Sequence, residues 1–190
     1  MKKKKLHAGA KRERRDEAAK ETEQKGFLRK RLREHAKVQP EILKLQKKLL
    51  AVGGGQLVAP PSVTHDVPFL VVGGFVMDYP VTERIMRRNM CHLNSAELFA
   101  TGKATALCTG FALFDGLWAQ HSWALERQKD GTNRIIETTG KRDRYFGILY
   151  WGVLGMLAAM TEFELNGVAL PNSLAALPSF AGDSMPTTFE

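Results

Sequence analysis

Met90-Cys91-His92-Leu93-Asn94-Ser95 opens the stretch that decides how this chain is read. Gly116-Leu117-Trp118-Ala119-Gln120-His121-Ser122-Trp123 continues it, and Ile135-Ile136-Glu137-Thr138-Thr139 and Tyr145-Phe146-Gly147 close it. A cysteine, a histidine and a carboxylate follow one another here, each in a different local pattern. Leu93, Ala96, Leu98/Phe99 and Ala100 recur at helical spacing, with Gly102 as the stop. From Thr105 the period becomes two. Leu107, Thr109, Phe111 and Leu113 alternate with Ala106, Cys108, Gly110 and Ala112, so 105–114 is expected to be a strand. Asp115-Gly116 is a hairpin signal. Leu117–Arg127 follows as a second strand, with Leu117, Ala119, His121, Trp123 and Leu125 on one face. A third strand is expected over 134–139, after the Asp130-Gly131 turn.

These patterns imply a site. Asn89 is a good N-cap type, and a helix starting there puts Cys91 in its first turn, where the positive end of the dipole favours a thiolate. A start at Thr82 would instead leave Cys91 in mid-helix. If the 127–131 loop closes on Glu126 and Thr132, Trp123 faces Ile135 and His121 faces Glu137. Directly opposed side chains lie about 4.5–5.5 Å apart at Cβ, within reach of an imidazole–carboxylate bond. A one-residue slip would send Glu137 to the other face. Cys91 is thus the candidate nucleophile, His121 the candidate base and acid, and Glu137 the group that orients His121. Oxyanion or support candidates are the backbone N–H of Cys91 and the side chains of Asn89, Asn94, Gln120 and Trp123. His92 points about 100° away from Cys91 on a helix and does not replace His121. The plain alternative is that Cys91 is a small buried hydrophobe. Zinc is the other chemistry open to Cys91, His92, Cys108 and His121, but their spacing matches no familiar Cys/His motif. No metal and no cofactor is expected.

Working outward, the 190 residues allow one domain and an appendage. The net charge of +8 is unevenly placed. Residues 1–50 hold 18 Lys+Arg against 7 Asp+Glu, and residues 51–190 hold 10 against 13. Residues 1–25 lack apolar anchors and are expected to remain unordered. Phe27/Leu28, Leu32, Ala36, Ile42, Leu45, Leu49 and Val52 form a helical stripe, broken near Gln39-Pro40 and stopped by Gly53-Gly54-Gly55. The expected organisation is a basic helical arm over 1–52, a Gly/Pro linker over 53–61, a domain over 62–180 and a tail over 181–190. Val67–Val72 contains Pro68 and reads as an edge strand or an extended segment. Residues 75–79 read as a short strand, and 80–83 as a lead into helix. Residues 153–166 read as a helix with Leu154, Leu157/Ala158 and Leu165 inward.

The apolar run at 146–160 is shorter than the roughly 20 residues that cross a bilayer. Two cysteines and no secretory leader favour a reducing, cytoplasmic setting with both thiols free. The arm has the charge to meet nucleic acid or an acidic partner, although Phe27 is its one aromatic residue. No membrane partner is expected.

The segment from Asn89 to Ile148 resembles a group of small bacterial and phage proteins with Cys-His-x-Asn, His-Ser-Trp and Glu-Thr-Thr motifs. It is similar to the papain-like (transglutaminase-like) thiol superfamily, whose order is Cys helix, His strand, carboxylate or amide strand. The resemblance implies an α+β fold, with an antiparallel sheet packed against the Cys-bearing helix. It also implies Cys91, His121 and Glu137 as a triad attacking an amide or ester, in a hydrolase or acyl transferase. Two departures stand beside it: no glutamine lies a short distance before Cys91, and the basic arm is outside the pattern. A non-catalytic interaction module working through the arm is the alternative.

Overall fold

In the computed structural model, residue 20 and residues 22–171 are described. The lysine run at 2–5, the rest of the segment up to residue 19 and the tail at 181–190 lie outside them. The chain is an α+β protein with a mostly antiparallel sheet. Helix α1 covers 22–38 and α2 Glu41–Val52; β1 is Gln56–Leu57, α3 Asp66–Gly73, β2 Phe75–Val76 and β3 Val81–Glu83. Helix α4, Cys91–Ala100, precedes β4 (Ala106–Phe114), β5 (Leu117–Arg127), β6 (Asn133–Glu137), β7 (Arg144–Tyr150) and α5 (Gly152–Leu165).

The sheet runs β2-β7-β4-β5-β6-β3, with β1 added to β5 in parallel. β2 and β3 stand at its two ends, yet only residues 77–80 join them. Five Cα steps reach at most about 18 Å. Six strands laid flat would be about 24 Å wide. The sheet therefore curls until its edges converge, and residues 75–83 close it like a stave. The Met77 N–H bonds to Tyr145 O on one side, and the Ile135 N–H to Pro80 O on the other. Met77, Cys108, Ala112, Trp123, Leu125, Ile135 and Tyr145 fill the inside of this curl. Phe111, Trp118 and Phe146 on its outer face take α2 and α3, and Leu107 takes α4 and α5.

Several expectations change. Val67–Val72 is helical, not an edge strand. Pro68 lies in the first turn of α3, where its missing N–H would have had no partner in the helix. Residues 81–83 are a strand, parallel to β6, and do not begin a helix. The expected linker contains β1, and Gly55 and Val58 donate backbone bonds to Gly116 and Trp118. Ile42, Leu45 and Leu49 of the expected arm are fully buried in the same core as Trp118, so packing continues across residues 52 and 62. Leu154, Leu157 and Leu165 face outward on α5, which buries Gly155, Ala159 and Phe163 instead. The reason is close approach: a Cβ on Gly155 would lie 2.5 Å from Phe99 Cζ, so only a glycine lets α5 sit against α4 there. No helix among the described residues is long and apolar enough to cross a membrane.

Candidate active site

Cys91 is the first residue of α4, with Met90 as the N-cap and no side-chain cap on the helix start. Asn89 is not the cap; it takes a left-handed φ of 60° that turns the chain into the helix. β5 carries His121 into the curl, beside Trp123 with ring centroids 6.2 Å apart. Glu137 ends β6 and is fully buried. The β5–β6 pairing sets Leu125 against Ile135 and Ala124 against Ile136. That register is two residues from the expected one. Because side chains alternate with period two, Glu137 keeps the face of His121 and meets it diagonally.

His121 Nε2 lies 2.8 Å from Glu137 Oε2. The same oxygen accepts the Tyr145 hydroxyl at 3.0 Å. Oε1 accepts the Thr139 N–H at 2.9 Å and the Thr139 hydroxyl at 3.1 Å. Both carboxylate oxygens are thus doubly engaged, as burial of an ionised group demands. Burial pushes the Glu137 carboxyl up, but the hydrogen bond and charge of His121, with Thr139 and Tyr145 behind them, hold it below its ordinary value. Burial and the Glu137 charge push the Tyr145 phenol up, so it stays a donor.

The Cys91 thiol lies beside the imidazole of His121, close enough for each to shift the other. Nε2 is taken by Glu137. The β5–β6 ladder has ended by this point, and the backbone N–H of Ser122 reaches the sulfur too. Burial raises the thiol, yet the hydrogen bond and charge of His121 and the N–H groups of Ser122 and His92 bring it below the ordinary value. Burial would lower His121; its bonds to Cys91 and Glu137 outweigh this and raise it to about 9. Both shifts run in the direction that favours a thiolate beside an imidazolium. Cys108 differs: it is fully buried inside the curl, and burial pushes its thiol far up. Both cysteines are free.

The support candidates divide. Trp123 walls the imidazole. Asn94 is fully buried and donates to Arg87 O at 2.7 Å, which ties α4 to the preceding loop. Gln120 is half-buried on the outer face of β5, the same face as Ser122. Tyr145 and Thr139 had no assigned role in the sequence, although both belong to its motifs.

A second polar network lies on the outer face. Ser122 Oγ is 2.7 Å from His92 Nδ1. Asp66, at the start of α3, accepts the Tyr150 hydroxyl at 2.9 Å and the Thr109 hydroxyl at 3.2 Å. The period-two reading of β4 places Thr109 on the helix-bearing face, but nothing local links it to Asp66. Among the described residues, no group of three or more His, Cys, Asp or Glu side chains is placed to hold a metal ion. A cleft of about 420 Å³, lined by Arg84, Glu97, Lys103 and Glu126 among others, lies at the far end of α4 from Cys91.

Comparison with protein-family models, with curated proteins and with solved structures found no significant match.

Proposed function

We propose that this protein is a thiol-dependent hydrolase or acyl transferase of papain-like design, acting on an amide or ester bond. The observation that carries the reading is the position of His121: one ring nitrogen is held by buried Glu137 and the imidazole meets the Cys91 thiol. The order of elements supports the papain-like assignment. The thiol starts a helix, the histidine follows on a strand, and the carboxylate ends the next strand.

In this reading the Cys91 sulfur attacks the substrate carbonyl carbon and a C–S bond forms. The carbonyl electron pair moves to oxygen and then returns to expel the leaving group, which takes the proton from His121. His121 next removes a proton from water or an amine, which attacks the thioester and frees Cys91. Glu137 stays ionised and steadies the imidazolium. No cofactor enters these steps. The test is to incubate the protein with a panel of activated esters and amides and follow the Cys91 peptide by mass spectrometry. A mass increase on Cys91 that decays in water or amine supports the reading. No acyl adduct from any probe, with the fold intact, contradicts it.

A second reading rests on the outer surface of α1 and α2. Arg29, Lys30, Arg33, Lys44, Lys47 and Lys48 are exposed, opposite the buried stripe of Leu32, Ile42, Leu45 and Leu49. Such a face suits a polyanion, nucleic acid first. Binding of duplex DNA that weakens steeply with salt and is lost on charge reversal at Arg29, Arg33 and Lys47 supports it; salt-independent or absent binding contradicts it.

A further inference from the structure

His92 follows Cys91 in the first turn of α4 but takes no part in the chain of bonds that ends on Glu137. Its ring is partly exposed, with side-chain accessibility of 33%. Its Nδ1 is 2.7 Å from the hydroxyl of Ser122, a residue that is 1% exposed. A buried hydroxyl needs an acceptor for its hydrogen. With the hydroxyl donating to Nδ1, that need is met and the ring proton sits on Nε2. Glu162 Oε1, at 3.8 Å from Nδ1, is too distant for a hydrogen bond. Burial and the charge of His121 push His92 down, against a smaller upward push from Asp66, and burial and Asp66 push Glu162 up, so both shifts run against an ion pair between them.

Ser122 also fixes where this ring stands. Its backbone N–H reaches the Cys91 sulfur while its hydroxyl holds His92, so thiol and imidazole flank one residue. The backbone N–H of Cys91, at the first helical position, has no acceptor within the helix. No glutamine stands in the short segment before Cys91 to supply a side-chain donor.

The geometry points to His92 as the side-chain donor of an oxyanion hole, acting with the backbone N–H of Cys91. This rests on the thiol-transfer reading above. When the Cys91 sulfur bonds to a carbonyl carbon, the π pair moves onto oxygen. The Nε2–H of His92 and the N–H of Cys91 hydrogen-bond that oxyanion until it collapses and the leaving group departs. Ser122 is the positioning residue, because it selects the Nε2–H tautomer.

Two reactions of the same thiol separate this role from activation of the sulfur. Acylation by p-nitrophenyl acetate builds negative charge on a carbonyl oxygen. Alkylation by iodoacetamide displaces iodide from carbon and builds none. His92→Ala is expected to slow acylation about 10²–10³-fold, the usual cost of an oxyanion donor, and to leave alkylation unchanged. His92→Phe keeps the volume of the ring without the donor, and guards against disturbance of the helix start; the same selective loss is expected. Equal slowing of both reactions, or of neither, overturns the assignment and leaves the Cys91–His121–Glu137 reading standing. Alkylation of Cys91 that is indifferent to His121→Ala overturns that reading, and the role of His92 with it.

Discussion

His121 and Glu137 meet diagonally across β5 and β6, with Nε2 and Oε2 2.8 Å apart, although the ladder pairs Leu125 with Ile135 and Ala124 with Ile136. The bond survives a register two residues from the expected one because both strands keep their inward faces. The carboxylate sits inside the curl of the sheet, away from the helices, with donors on both oxygens.

Glu137→Ala removes the acceptor shared by His121, Tyr145 and Thr139. The donors of His121 and Tyr145 then stay buried without that partner, and the loss is expected to be about 3–5 kcal/mol of stability. The Cys91 thiol should rise towards its ordinary value. Chemical denaturation with the pH profile of alkylation checks both.

Tyr145→Phe is milder. Thr139 still fills Oε1 and His121 still meets Oε2, so one hydrogen bond to a charged group is lost, about 1.5–3 kcal/mol. The midpoint of Cys91 alkylation should rise by less than in Glu137→Ala. A midpoint equal to that of the wild type would mean that the phenol plays no part in holding the carboxylate.

Stability against pH follows from the directions of these shifts. Glu137 is depressed, so its contribution is complete above the unfolded value of about 4.3 and is lost as pH falls through the folded value. His121 is raised to about 9, so its contribution is complete below about 6.5 and is lost as pH rises through 9. Cys91 is depressed and works against that loss as pH approaches its unfolded value of about 8.5. The two offset each other across neutral pH, which leaves a shallow profile there and a distinct acid decline. Thermal unfolding across pH, with Glu137→Ala as the control, tests this. A variant that keeps the full acid decline contradicts it.

Gly147→Ala is expected to disturb the inside of the curl. A Cβ there would lie 2.6 Å from Trp123 Cη2, and Trp123 stacks beside His121. A cost of about 1–3 kcal/mol is expected, with a changed Trp fluorescence spectrum.

Much of the sheet was legible. In β4 and β5 one residue in two faces the inside, so alternation marked both strands and both faces. The grouping of Cys91, His121 and Glu137 followed from that alternation and from a helix start. The closure was not legible, because β2 and β3 are two and three residues long and pair only with distant strands. α3 was hidden because its apolar run has no marked face and Pro68 resembles a strand breaker. The buried side of α5 was missed because a small residue, Gly155, selects it through contact with Phe99. Asp66 could not be joined to Thr109 and Tyr150, since that cluster exists only once α3 packs across the sheet.

The proposed site stands on one assignment: Cys91 rests as a thiolate because of His121. Its most direct test is the pH dependence of iodoacetamide labelling at Cys91 and Cys108, read peptide by peptide on the folded protein. Rapid labelling of Cys91 is expected, with a midpoint well below the ordinary thiol value of about 8.5, a shift towards that value in His121→Ala, and a silent Cys108. A Cys91 that labels as an ordinary thiol, with or without His121, would contradict it.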